Sequence, residues 1–133
     1  GGTAGQIGTA WAWYTLSPNW SGVWGADTGA AYNPKVTKKY AILMTDGEYN
    51  THGGVAGNTS KSQQQAKSLC DAMKSKGLIV YTVGFKLDNS GARDLLSKCA
   101  TSSSHSFQAY DGAQLRSIFR GIAEEISALR LSQ

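Results

Sequence analysis

The segment Lys39-Tyr40-Ala41-Ile42-Leu43-Met44-Thr45-Asp46-Gly47 constrains this chain more than any other. A short apolar run, rich in strand formers, stops abruptly at a carboxylate and a glycine. In an α/β sheet, a buried parallel strand delivers an acidic group in this way to the carboxyl edge, where such folds place their ligands. The glycine lets the chain turn away sharply and leaves the Asp46 oxygens exposed. A hard cation such as Mg²⁺ takes one or two carboxylates together with hydroxyls and water. Asp46 is therefore a candidate metal ligand or catalytic acid/base. The alternative is an ordinary strand-end Asp capping its own turn.

Around this segment, helical and strand patterns alternate. Ile7, Ala10, Trp11 and Tyr14 recur at helical spacing and predict a helix over 3–16, with that face inward. Residues 17–37 carry Pro18, Gly22, Gly25, Gly29, Asn33 and Pro34, and are expected to form a long loop. A strand over 39–45 and a second loop over 47–59 follow. Ser60 and Gln63 predict a capping box for a helix that turns Ala66, Leu69, Cys70 and Met73 to one side and stops at Gly77. Leu78 to Phe85 predicts a second buried strand, 90–98 a short helix with Leu95 and Leu96 inward, and 106–110 a third strand. Asp111 and Gln114 predict another capping box, opening a helix with Leu115, Ile118, Phe119, Ile122, Ile126 and Leu129 along one stripe. Such alternation implies an α/β fold with a parallel sheet of at least three strands, right-handed crossovers and helices on both faces. Loops after strands then share the carboxyl edge with Thr3, whereas His105, opening the third strand, lies at the opposite edge.

A chain of 133 residues is one domain, long enough to bury a core. The net charge of +4 is carried by scattered Lys and Arg, with no basic stripe suited to nucleic acid. No stretch approaches the roughly 18 apolar residues of a membrane span, and nothing resembles a signal peptide. The chain opens on Gly1-Gly2-Thr3 without methionine, so it is expected to be part of a longer protein, with any targeting or membrane-anchoring segment upstream. Cys70 and Cys99 are too few and too far apart for a zinc site. They fall on the two helices that flank the second strand, both toward the edge away from Asp46. A disulfide, implying an oxidising compartment, is favoured over two buried thiols.

These residues carry a resemblance. Gly1-Gly2-Thr3 opens a Trp-bearing helix, and Leu43-Met44-Thr45-Asp46-Gly47 ends a strand. Leu69-Cys70-Asp71-Ala72-Met73-Lys74, Ile79-Val80-Tyr81-Thr82-Val83-Gly84-Phe85, Leu96-Ser97-Lys98-Cys99-Ala100 and Ile126-Ser127-Ala128-Leu129-Arg130-Leu131 follow in order. Together they resemble the later two-thirds of a von Willebrand factor type A domain. More closely, they resemble the terminal domain of TadG-type proteins of the bacterial tight-adherence pilus assembly system. The resemblance implies a partial doubly wound fold lacking its N-terminal strand. It also implies a metal-ion-dependent adhesion site holding Mg²⁺ (or Mn²⁺ or Ca²⁺) through an Asp-x-Ser-x-Ser loop, a Thr and an Asp. The Thr maps to Thr3 and the Asp to Asp46. The first loop has no counterpart, since Asp88-Asn89-Ser90-Gly91-Ala92 lacks the last serine and follows the wrong strand. Weak metal affinity for the chain alone and an exposed apolar sheet edge are the expected consequences.

The function so implied is a non-enzymatic protein-interaction module of the periplasm or cell surface, engaging a partner carboxylate at the metal. Two rival readings stand beside it. Asp46, Glu48 and His52 could centre a metal-dependent hydrolase; a purely structural domain with a vestigial metal site is the other. The tryptophans Trp11, Trp13, Trp20 and Trp24 crowd into the first 24 residues. They form either an aromatic platform for glycan or protein or, as Trp11 with Tyr14 on one helical face favours, core packing. Glu48, His52, Asp88, Trp20 and Trp24 complete the candidate partner-binding residues.

Overall fold

The computed structural model describes residues 2–25, 29–33, 35, 37–53 and 55–131. Gly1 and Pro34 lie outside the described residues, as does the Leu129 side chain. Helix α1 spans Gly5–Leu16 and, after a 3₁₀ turn at Pro18–Trp20, a short helix α2 covers Ser21–Trp24. Strand β1 (Tyr40–Thr45) precedes a small hairpin of β2 (Thr51–His52) and β3 (Val55–Ala56). Then come α3 (Thr59–Ser75), β4 (Ile79–Phe85), α4 (Ser90–Cys99), β5 (Ser106–Ala109) and α5 (Gly112–Leu131).

The main sheet has the order β1-β4-β5, both pairings parallel. Its register sets Thr45 opposite Gly84 and Phe85 opposite Ala109, so all three strands finish at one edge. Alternation along the strands divides the interior in two. Ala41, Leu43 and Val80 face Ala66, Cys70 and Met73 of α3 and Leu95 and Cys99 of α4. Tyr81 and Val83 face Ile122 of α5 on the other side, with Tyr40, Ile79, Phe107, Leu115 and Ile118 packed around them. This is a doubly wound parallel sheet with helices on both faces. Gly84 is the central strand's one residue without a side chain, and the Gln108 amide of β5 fills the space where a β-carbon would stand.

The predicted strands and main helices form, with differences at their ends and faces. Gly77 closes α3 with φ +80°, a left-handed conformation natural to glycine. The Ser60–Gln63 box does not form: α3 starts at Thr59, and Asn58 precedes it without a side-chain cap. At α5 the Asp111 carboxylate accepts from the Gln114 N–H at 2.8 Å. The Gln114 amide oxygen in turn accepts from the Tyr110 N–H at 2.8 Å, one residue earlier than in the standard box. Phe119 points largely outward from the α5 stripe. Within the expected 47–59 loop the β2–β3 hairpin forms, and α2 lies inside the expected 17–37 loop.

The largest departure is α1. Its inward face is Gln6 and Thr9, with Ala12, Trp13 and Leu16 partly buried behind them. Ile7 and Trp11 are half exposed, at 51% and 49%. Helical spacing alone identifies a stripe but not which stripe faces the core, and here the more polar one does. Gln6 is satisfied at both ends: its amide nitrogen donates to the Thr51 carbonyl, and its oxygen accepts from the buried Ser62 hydroxyl at 2.7 Å. The loop after α1 is anchored by Trp13, whose indole N–H donates to the Tyr32 hydroxyl at 2.9 Å. Lys39, buried against the Tyr32 ring at 4.4 Å, donates to the Leu16 and Ala30 carbonyls. That burial lowers its pKa.

Cys70 and Cys99 form a disulfide between α3 and α4, with Cα atoms 5.0 Å apart across 29 positions of sequence. Closing a loop of this size restricts the unfolded chain, so reduction is expected to lower stability by roughly 3–4 kcal/mol. Urea unfolding of the oxidised and reduced chains measures the difference. A second expectation concerns Tyr81, whose buried hydroxyl has no hydrogen-bond partner among the described residues. Burial first, then the neighbouring Glu125 carboxylate, pushes its pKa from 10.0 to about 12. Because the folded-state value is the higher one, the neutral phenol favours the fold. That contribution is complete below pH 10 and is lost as pH rises through about 12. Tyr81→Phe should flatten this alkaline loss in unfolding curves recorded across the same window.

Candidate functional site

At the carboxyl edge, β1 ends in a turn built by its own last residue. The Thr45 hydroxyl accepts from the Gly47 N–H at 3.2 Å and donates to the Gly47 carbonyl at 2.9 Å. This local turn does not need the Asp46 side chain, which stays exposed. No hydrogen bond or ion pair engages its carboxylate among the described residues. The rejected alternative is therefore specific: Thr45, not Asp46, caps the turn.

The segment before α1 folds onto the same loop. The Thr3 N–H donates to the Asn50 side-chain oxygen at 2.8 Å, and the Thr3 carbonyl accepts from the Asn50 and Thr51 N–H groups at 3.1 and 3.3 Å. Its hydroxyl lies 3.6 Å from where a β-carbon on Gly47 would stand. Thr3 and Asp46, 43 positions apart in number (46 − 3), thus belong to one rim. Tyr49 locks the arrangement: its buried ring occupies the space beside Gly5, where an added β-carbon would sit 2.0 Å from the ring. Burial raises its pKa, and a hydrogen bond with Thr9 opposes that shift. Tyr49 and Asn50 are the positioning residues that sequence reading missed. An Asn three residues after Asp-Gly looks like ordinary loop composition, and nothing local reveals a partner 47 residues away.

The other candidates are dispersed. Glu48 is half-buried beside this rim, and Asp88 is exposed in the loop after β4. His52 turns to the α3 side, with Nδ1 3.1 Å from the Gln65 amide oxygen. No group of three His, Cys, Asp or Glu side chains is close enough to hold a metal ion among the described residues. Asp46, Glu48 and His52 are not gathered into one cluster. His105 sits at the far edge against the Tyr81 ring, 3.8 Å from Glu125. Trp20 and Trp24 join Trp11 and Tyr14 in an aromatic cluster on the outer flank of α1.

Beside the rim, β1 is an edge strand. Among the described residues it pairs with β4 alone. Ile42 and Met44, 39% and 48% exposed, alternate with the inward Ala41 and Leu43. A groove of about 230 Å³ runs along this open edge, with Ile42–Thr45 on one side and Gly5, Gly8, Thr9 and Ala12 of α1 on the other. Thr3 stands in its wall.

The von Willebrand factor type A domain family matches residues 26–121, and the chain belongs to that family. Asp46 lies within the matched span and Thr3 before it. No curated protein and no solved structure matches the chain. Family membership accords with the doubly wound parallel sheet and defines a protein-interaction or adhesion module in general.

The rim depends on the close approach of Gly5 to Tyr49. Gly5→Ala is expected to destabilise the fold by about 1–3 kcal/mol through overpacking. It should also accelerate hydrogen exchange at the Asn50 and Thr51 amides that bond to Thr3. Exchange rates at those two amides, read by NMR against amides of β4 as reference, measure the displacement.

Proposed function

We propose that this chain is an extracytoplasmic, non-enzymatic protein-interaction module of bacterial pilus or surface-fibre assembly, of the TadG type. In this reading it acts through a divalent-cation site at the Thr3–Asp46 rim and stands at the periplasmic or outer surface of the cell, anchored through a segment outside this chain. The observation that carries the reading is the shared rim of a member of a family of interaction modules: the Thr3 hydroxyl lies against Gly47, next in sequence to the exposed Asp46, whose carboxylate has no hydrogen bond or ion pair among the described residues.

The donor chemistry fits a hard cation. Carboxylate and hydroxyl oxygens suit Mg²⁺, Mn²⁺ or Ca²⁺. Asp46 and Thr3 would hold the ion. Asn50 fixes the Thr3 backbone, and Thr45 fixes the turn that presents Asp46. Bound there, a cation would supply Lewis acidity toward a carboxylate from a partner protein. Further oxygen ligands would come from a segment added along the open edge of β1, which lies against Thr3. The disulfide supports an oxidising compartment, and the TadG-like order of strand endings and cysteines supports the pilus context.

Two protein ligands leave most of an octahedral shell to water, so the chain alone should bind Mn²⁺ weakly, with Kd on the order of 1 mM or above. In a titration followed by paramagnetic NMR broadening, the Thr3, Asp46 and Gly47 signals should disappear first, and Asp46→Ala should remove the effect. Broadening centred on Asp88 or His52 instead would refute the assignment. Capture of an envelope partner should be abolished by EDTA and by Asp46→Ala. Capture that survives both would move the interaction away from this rim.

A further inference from the structure

The outer flank of α1 forms one wall of a cleft of about 910 Å³, whose other wall is α3. Its volume falls within the roughly 300–1,000 Å³ typical of small-molecule sites. Trp11 and Tyr14 line the first wall and continue into a cluster outside the cleft. Tyr14 stacks on Trp20 with centroids 4.5 Å apart and planes inclined by 14°. Trp24 lies 5.9 Å from Trp11 and 6.5 Å from Trp20. The rings satisfy one another, yet Trp11 remains 49% and Trp24 39% exposed. A contiguous exposed aromatic surface beside a cleft is the kind of patch that marks an interaction site.

The opposite wall is of another character. Gln64, Gln65 and Ser68 of α3 line the cleft with Lys61 and the apolar Leu69, and His52 lines it as well. Each amide and hydroxyl can both donate and accept. A peptide helix satisfies its own backbone hydrogen bonds, so an apolar helical stripe laid here would give no partner to the Gln64 amide, the Ser68 hydroxyl or the Gln65 amide nitrogen, while the Gln65 amide oxygen stays 3.1 Å from His52 Nδ1. A pyranose ring suits both walls: its C–H face stacks on an indole, and its hydroxyls donate and accept in alternation. Charge narrows the choice further. Among the described residues, Lys61 is the one permanently charged residue lining the cleft, and no carboxylate lines it. From Thr59 to Cys70, α3 carries Lys61 and Lys67 and no acidic residue.

The geometry points to this cleft as a binding site for an acidic oligosaccharide, with Trp11 and Tyr14 as the stacking surface, Gln64 and Gln65 pairing with ring hydroxyls, and Lys61 meeting a uronate carboxylate. The site is separate from the Asp46 rim and requires no metal. The test is tryptophan fluorescence of the intact chain in EDTA, titrated with an oligogalacturonate, with a neutral cello-oligosaccharide of equal length, and with an acidic amphipathic helical peptide.

The oligogalacturonate is expected to bind most tightly. Trp11→Ala and Gln65→Ala should each weaken that binding about tenfold or more, and Lys61→Gln should weaken it severalfold while leaving the neutral sugar unaffected. Gln65→Ala is the decisive variant if loss of Trp11 disturbs the fold, because Gln65 is exposed and supports no core contact. No response to either sugar at about 10 mM would overturn the proposal. So would sugar binding unchanged in both variants, or the helical peptide binding more tightly than both sugars. Because EDTA is present throughout, these outcomes are independent of the cation site.

Discussion

The parallel pairing of β1 with β4 is the constraint on which the rest depends. It sets Thr45 beside Gly84, so that both strands release their chains at one edge. Parallel pairing also requires a long return connection, which α3 supplies, and the return carries Cys70 to the side of the sheet where α4 brings Cys99. Residues on β4 are buried on both faces, Val80 toward α3 and α4, and Tyr81 and Val83 toward α5. A polar substitution inside that strand would therefore disturb whichever of the two cores that residue faces. The exposure of Asp46 follows from the same register. The strand ends, the Thr45 hydroxyl takes over the turn, and the next side chain makes no hydrogen bond or ion pair among the described residues.

Much of this was legible in the sequence because the signals are local. The run from Tyr40 to Thr45 and the run from Leu78 to Phe85 are too short for buried helices and too apolar for loops. Gly77 and the Asp111–Gln114 pair mark helix ends through their own chemistry. What stayed hidden depends on distant partners. Gln6 can be buried because Ser62 and the Thr51 carbonyl arrive from other elements to satisfy it, and no window around residue 6 contains either. The same holds for Asn50 and Thr3. Ser60 and Gln63 had the spacing of a cap, but α3 starts one residue before Ser60, which leaves Ser60 inside the first turn and removes its role. A motif fixes chemistry only once the backbone phase is known.

The rim and the two grooves meet at one element, α1, and the composition of that helix explains how. Gly5, Gly8, Thr9 and Ala12 form a flank of small side chains along the open edge of β1. Ile7, Ala10, Trp11 and Tyr14 form a bulky flank along α3. A smooth, narrow flank lets another backbone approach closely, whereas a ridge of rings offers area to a ligand that stacks. One helix thus separates a groove suited to an added strand from a cleft suited to a ring-shaped ligand.

Between the flanks, Gln6 and Thr9 fix the rotation of the helix. Turning α1 to bury Trp11 would gain apolar burial of a few kcal/mol, by the scale of a large side chain. It would also pull the Gln6 amide from Thr51 and Ser62, stranding buried polar groups at comparable cost. The two terms are of similar size, so the balance rests with Tyr49. Its ring fits against α1 only where the helix presents glycine at position 5. That single contact selects the orientation with the aromatic ridge outward, and it also holds Thr3 against the loop of Asp46. The exposure of the indoles and the assembly of the rim are therefore two results of one packing decision.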